Sequence, residues 1–293
     1  MRRGRYLELA VEPGAWRRFR AWPKGSIVST LFGSLVAAAV VTAWLSSVLR
    51  LLPADPDAMD LASMNALPGG GHLLGTDFVG RDLLARVMVG TQAFFLPGLL
   101  SVAVSLLFGC VFGVLAGYWP ERFATPVGLL LQTLESLPKL VVLLLVIALF
   151  RPDIYVILLV VGVTNVPAVA ELLRSRIAVL RKKSYIEAAI ALGLRPSRVI
   201  LRHVLWLHGR SLVLIQVGVG MAEAILIETA LSYLGFGVQE PQPSWGNMVA
   251  LGKDYFFRGE LWISTAPALA ILVTVLGFQL LGDAVLARLE EGA

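Results

Sequence analysis

The sequence predicts an all-α membrane protein of six transmembrane helices with both termini in the cytoplasm. Three observations predict it. Of 293 residues, 57% are hydrophobic and 15% charged, against roughly 45–50% and about 25% in a soluble domain; the mean hydropathy is +0.77. The apolar residues fall into six runs of about 20 residues, the length a helix needs to cross the hydrocarbon core. The Lys and Arg residues between the runs are unevenly shared, which sets the direction of insertion.

The runs lie at about 27–49, 94–118, 127–150, 154–173, 212–234 and 261–286. Before the first comes a basic arm, residues 1–26, with Arg2, Arg3, Arg5, Arg17, Arg18, Arg20 and Lys24. Its apolar continuation is long, and its Ala-rich part lies mid-run, unlike a cleavable signal. Between the fourth and fifth runs stand Arg174, Arg176, Arg181, Lys182, Lys183, Arg195, Arg198, Arg202 and Arg210. An even number of spans puts both basic segments on one side, the cytoplasm. The other side has Arg50, Arg81, Arg86, Arg151, Lys253 and Arg258 spread over three connections. The expected organisation is the arm at 1–26, the first helix with its external segment at 27–93, and a five-helix core at 94–290. Cys110, the one cysteine, sits in an apolar run, so neither a disulfide framework nor a Cys-based metal site is expected.

Two long external segments are expected, about 51–91 and 235–260. The second carries Glu240-Pro241-Gln242-Pro243, which cannot lie inside a spanning helix. Tyr233, Phe236, Trp245, Tyr255, Phe256, Phe257 and Trp262 cluster there, as a membrane–water belt or as solute contacts.

The cytoplasmic segment at 184–206 has the sharpest local signals. Ser184 and Glu187 stand in capping-box spacing. Gly193 is a natural left-handed stop, and Pro196 can open a second helix. Tyr185, Ala188, Ala189 and Leu192 share one helical face of mostly small residues. On residues alone this is either a docking helix for a cytoplasmic partner or a well-capped connector.

Glu187-Ala188-Ala189 followed by Gly193 resembles the EAA loop of the permeases of binding-protein-dependent ABC importers. His203 and Trp206 depart from the tail of that motif, where the family has an apolar residue and a proline. Residues 72–82, 228–239 and 243–248 are similar to segments of the dipeptide/oligopeptide/nickel branch, as is Gly282-Asp283-Ala284, and in register these cover most of the chain. The resemblance implies the type I ABC importer permease fold, with Glu187, Ala188, Ala189 and Gly193 on a coupling helix seated in an ATPase subunit. It implies a bacterial inner-membrane location and, as partners, a second permease, two ABC ATP-binding subunits, a periplasmic or lipid-anchored solute-binding protein and the lipid bilayer. ATP would be bound by the partner subunits, and this chain needs no cofactor of its own.

Other chemistry has little to stand on. Gly69-Gly70-Gly71 is followed by His72-Leu73 rather than Gly-Lys-Ser/Thr, so no phosphate-cradling loop forms. His72, His203 and His208 lack metal-ligand spacing, nothing reads as a nucleophile–base set or a nucleic-acid surface, and the chain is not expected to be an enzyme. Ionisable residues inside spans are functional candidates. They are Glu135 and Lys139, four apart on the third run, and Glu223 and Glu228 on the fifth. Lys139 has Glu135 and Glu223 as candidate partners, and the pair is either structural or part of the solute path. In the alternative reading, an ion-coupled secondary transporter, these four would form the coupling site, but no half-to-half repeat of the kind common in that class is visible.

Overall fold

The computed structural model describes residues 27–150, 153–181, 183–184 and 210–291. The basic arm and, apart from Ser184, the segment at 184–206 with Glu187, Ala188, Ala189 and Gly193 lie outside the described residues. Those described are helical with no strand among them, and they provide six membrane crossings if one bent helix pair is counted as a span.

The first crossing, α1 (Ile27–Val48), is followed by an irregular segment with a single 3₁₀ turn, Leu61–Ser63. Its folding rests on short polar contacts. Asp77 accepts from the backbone N–H groups of Val79 and Arg81, each at 2.9 Å, and Gly80 turns the chain at φ 82°. A Cβ on Gly80 would lie 1.8 Å from the Asp60 carbonyl oxygen, so the turn excludes any other residue. Asp82, itself held by His72 Nδ1 at 2.8 Å, then caps α2 (Leu83–Gly90) by accepting from the Ala85 N–H. After one 3₁₀ turn the chain continues as α3 (Phe95–Tyr118). That helix stops at Trp119, because the residue before a proline is pushed out of the helical region; Pro120 then opens α4 (Pro120–Glu135).

The remaining elements are α5 (Lys139–Phe150), α6 (Ile154–Thr164), α7 (Val166–Leu180), α8 (Arg210–Tyr233), α9 (Trp245–Phe256) and α10 (Trp262–Glu291). Helix α3 is the hub and packs against α4, α6, α7 and α8, while α10 packs against α1, α8 and α9. Backbones approach closely because glycines sit at the crossings. Gly109, Gly113 and Gly117, four apart on α3, face α7; added Cβ atoms would lie 2.5 Å from Val169 Cβ, 2.8 Å from the Ala170 oxygen and 2.9 Å from Ile177 Cβ. This small-residue stripe is the usual solution to helix packing in lipid. The outer surface is apolar, with Ile27, Leu31, Leu35, Leu107, Leu145 and Leu269 exposed, as a lipid-facing surface requires.

The bounds of two spans and the belt reading of Trp245 are corrected. The third span is not one helix over 127–150: α4 and α5 meet at 73° across Ser136-Leu137-Pro138. Pro138 has no N–H to continue α4, and its carbonyl starts α5 by accepting from Val141 at 2.9 Å. The fourth span runs on to Leu180, because the charges at Arg174 and Arg176 mark the end of the apolar run and not of the helix. The segment at 235–260 holds the helix α9, whose start is a capping box of Ser244 and Asn247. Within its aromatic group Trp245 is no belt residue. It is 2% exposed, packs against Phe94 with ring centroids 4.7 Å apart and planes tilted by 56°, and donates to the Val87 carbonyl at 2.8 Å. Phe236, Phe256 and Phe257 remain exposed.

Candidate functional site

Lys139, Asn165 and Glu223 form a closed polar triangle among three spans. Lys139 Nζ stands 2.6 Å from Glu223 Oε1 and donates to Asn165 Oδ1 at 2.5 Å. Asn165 Nδ2 donates to Glu223 Oε2 at 2.8 Å. Each corner owes its position to local chain chemistry. Lys139 is the first residue of α5, directly after the proline break. Asn165 is the joint between α6 and α7, where Val166-Pro167 restarts the helix. Its side chain makes no cap hydrogen bond and is free to turn to the ion pair. Glu223 sits on α8 next to Ala222 and Ala224, which are buried.

The pair is open on one side: the Lys139 side chain is 43% exposed and that of Glu223 is 29% exposed. On the same bend Gln132, Thr133, Glu135 and Ser136 are also exposed. Thr133 and Ser136 satisfy their hydroxyls on backbone carbonyls of their own helix. A polar strip with both signs of charge, midway along membrane helices, is costly against hydrocarbon. It suits a water-filled or protein-covered space.

Of the four ionisable residues picked out on the spans, the structure joins Lys139 with Glu223. It leaves Glu135 nearby and exposed without an ion pair among the described residues. The helical i,i+4 spacing of Glu135 and Lys139 is lost because the break falls between them. Glu228 stands apart. It is 0% exposed and accepts from Ser232 Oγ at 2.6 Å, and Ser232 Oγ in turn accepts from the Val238 N–H at 2.9 Å. It thus anchors the segment after α8. Asn165 was missed by sequence reasoning; the Asn-Val-Pro interruption of an otherwise apolar run was the signal.

A second ionic cluster joins the two non-membrane segments. Glu240 bridges Arg81 and Arg86, each at 2.8 Å, and Arg81 also pairs with Asp77 at 2.7 Å. Arg86 is 1% exposed. Burial works against the charge of Arg81, but the hydrogen bonds it donates to Asp77 and Glu240 outweigh it and the net effect raises its pKa. Asp77 and Arg81 belong to the stretch singled out at 72–82, while Arg86 lies just beyond it on α2 and Glu240 between the stretches at 228–239 and 243–248.

The fold and the polar triangle define a multi-pass helical membrane protein with an ion pair set among its spans. Comparison with known proteins makes the class specific. Residues 105–292 match the family described as binding-protein-dependent transport system inner membrane component. Over 97% of its length the chain is 31% identical to the probable D,D-dipeptide transport system permease protein of Escherichia coli (strain K12), of which it covers 96%. It is 32% identical to the di/tripeptide transport system permease protein of Pseudomonas aeruginosa (strain UCBPP-PA14), over 92% of this chain and 88% of that one. With the oligopeptide transport system permease protein of Haemophilus influenzae (strain ATCC 51907 / DSM 11121 / KW20 / Rd) it shares 29% identity, over 85% and 80%. The chain belongs to the family of binding-protein-dependent transport system inner membrane components. It is a permease subunit of an ATP-driven importer in the bacterial inner membrane, of type I fold, and not an enzyme. Such permeases work with ATPase and solute-binding protein partners, and nothing in these relatives supports the ion-coupled alternative.

Proposed function

We propose that this chain supplies one half of the pathway of a peptide importer, that a second, different permease supplies the other half, and that the solute is a short peptide or a compound of similar size. The observation that carries this is the open polar strip at the bend of the third span, with the Lys139–Glu223 pair at its centre. Elsewhere the described bundle exposes large apolar side chains suited to lipid. Charges placed among them need water or a protein partner, and a pathway shared with a second permease offers both. The peptide class is supported by the relatives, named for D,D-dipeptides, di/tripeptides and oligopeptides.

In this reading both termini are cytoplasmic, as the Lys/Arg bias favours. The solute-binding protein docks on the face formed by 51–91 and 235–260. Glu187, Ala188, Ala189 and Gly193 carry the contact to one of two ATP-binding subunits, which bind the ATP; this chain holds no cofactor. ATP drives the pathway between inward- and outward-facing states by binding one of them better. The arm at 1–26, the first helix and external segment at 27–93 and the core at 94–290 are its working divisions.

The test is a mild-detergent pull-down of the tagged chain from its native membrane, followed by mass spectrometry. A second permease and ATPases with Walker motifs are expected to co-purify, and Gly193→Arg to lose the ATPases. Recovery of this chain alone, with uptake intact, would overturn the reading.

A further inference from the structure

We propose that Lys139 and Glu223 form a charge-exchange site through which the importer prefers solutes with one ammonium and one carboxylate, as in a peptide with both ends free. The proposal rests on the peptide reading above and adds the chemistry by which this chain selects.

The triangle is neutral overall and has one group of each sign on an open surface. A zwitterion can replace the pair one half at a time: its carboxylate takes Lys139 while its ammonium takes Glu223. Each of the four charges then ends beside one of opposite sign, so none is left uncompensated among the apolar spans. Asn165 has both a donor and an acceptor, here already used one on each partner, so its amide keeps both side chains placed while their direct contact opens. Both oxygens of Glu223 are engaged, and Lys139 has a third N–H for an incoming carboxylate. The joints beside the site, the 73° bend after Glu135 and the interruption at Asn165, let α5 and α6 shift without unfolding a helix. A solute with a single charge fares worse, since it pairs with one partner and leaves the other unpaired.

The experiment compares three forms of one peptide: free-ended, N-acetylated and C-amidated. Each is supplied already bound to the solute-binding protein, and uptake is measured into vesicles holding the complete importer. Wild type is expected to move the free-ended peptide about tenfold faster than either blocked form, by the cost of an unpaired charge. Glu223→Gln keeps the lysine charge and is expected to shift preference toward the N-acetylated, anionic peptide. Lys139→Gln keeps the carboxylate and is expected to shift it toward the C-amidated, cationic one. In Lys139→Gln/Glu223→Gln, where amides can still hydrogen-bond to Asn165, the three rates converge to within about twofold.

The binding protein is the same throughout, so its own preference divides out between wild type and variant. Should both single variants slow all three peptides by one common factor, the pair is a structural tie and the proposal fails. Wild-type selectivity retained in the double variant would overturn it as well. Failure of the peptide reading looks different: wild type would then move none of the three peptides while transporting some other solute.

Discussion

Glu240 is the residue on which the two non-membrane segments meet. Its two oxygens are shared between Arg81 and Arg86, and Arg86 is too deeply buried to find water instead. Removing one partner of a buried pair leaves the other charge uncompensated, which costs more than the pair is worth. Glu240 is itself 34% exposed, so the cost is at the low end. Glu240→Ala is expected to destabilise the folded chain by about 3 kcal/mol, read as a lower thermal midpoint in detergent; an unchanged midpoint would mean that other groups replace it. Residue identity alone made Arg81, Arg86 and Glu240 legible only as charges between apolar runs. Their mutual distances connect residues more than 150 positions apart, and no local pattern encodes such a pairing. Lys139 shows the same limit: its neighbour in sequence, Glu135, is not its partner, and Glu223, 84 positions away, is.

Helices in this bundle hold together by shape. The α3 stripe of Gly109, Gly113 and Gly117 lets α7 approach until an added Cβ would overlap its backbone or β-carbons. With lipid on the outside there is little hydrophobic drive between helices, and close packing takes its place. Gly113→Leu is expected to cost about 2 kcal/mol by overpacking, seen as loss of the monodisperse peak in fluorescence-detected gel filtration. Gly128→Ala, where nothing lies within 4 Å of the new Cβ, is expected to be neutral or up to about 1 kcal/mol stabilising. Equal behaviour of the two would show that the crossing yields. The glycines were plain in the sequence, but which helix they face was not, since spacing of four fixes a stripe on α3 without naming its neighbour. The break at Ser136-Leu137-Pro138 was readable in principle from Pro138. It was hidden because leucines and valines recur on both sides of it, from Val127 to Leu134 and from Leu140 to Leu149.

For the molecule as a whole, its direction in the membrane decides which face meets which partner. From the Lys/Arg asymmetry, 51–91 and 235–260 are expected outside and the basic segment that follows α7 in the sequence inside. With Cys110 replaced by Ala, a cysteine at Phe257, 89% exposed, is expected to react with an impermeant maleimide on intact cells. A cysteine at exposed Lys183 is expected to react only after permeabilisation. The reverse pattern would invert the topology and with it the assignment of the binding-protein face.

The sequence by itself determined the solvent of this protein, the number of crossings and the family. Each follows from local composition: apolar run length is matched to bilayer thickness, and motif residues lie close together in the chain. Tertiary structure decided where the spans bend, that Trp245 is core, that Glu228 anchors a loop, and that Lys139, Asn165 and Glu223 form one site. These outcomes depend on which surfaces meet. A charge in a membrane helix takes the partner that folding brings within hydrogen-bond reach, and the order of residues along the chain does not state that partner.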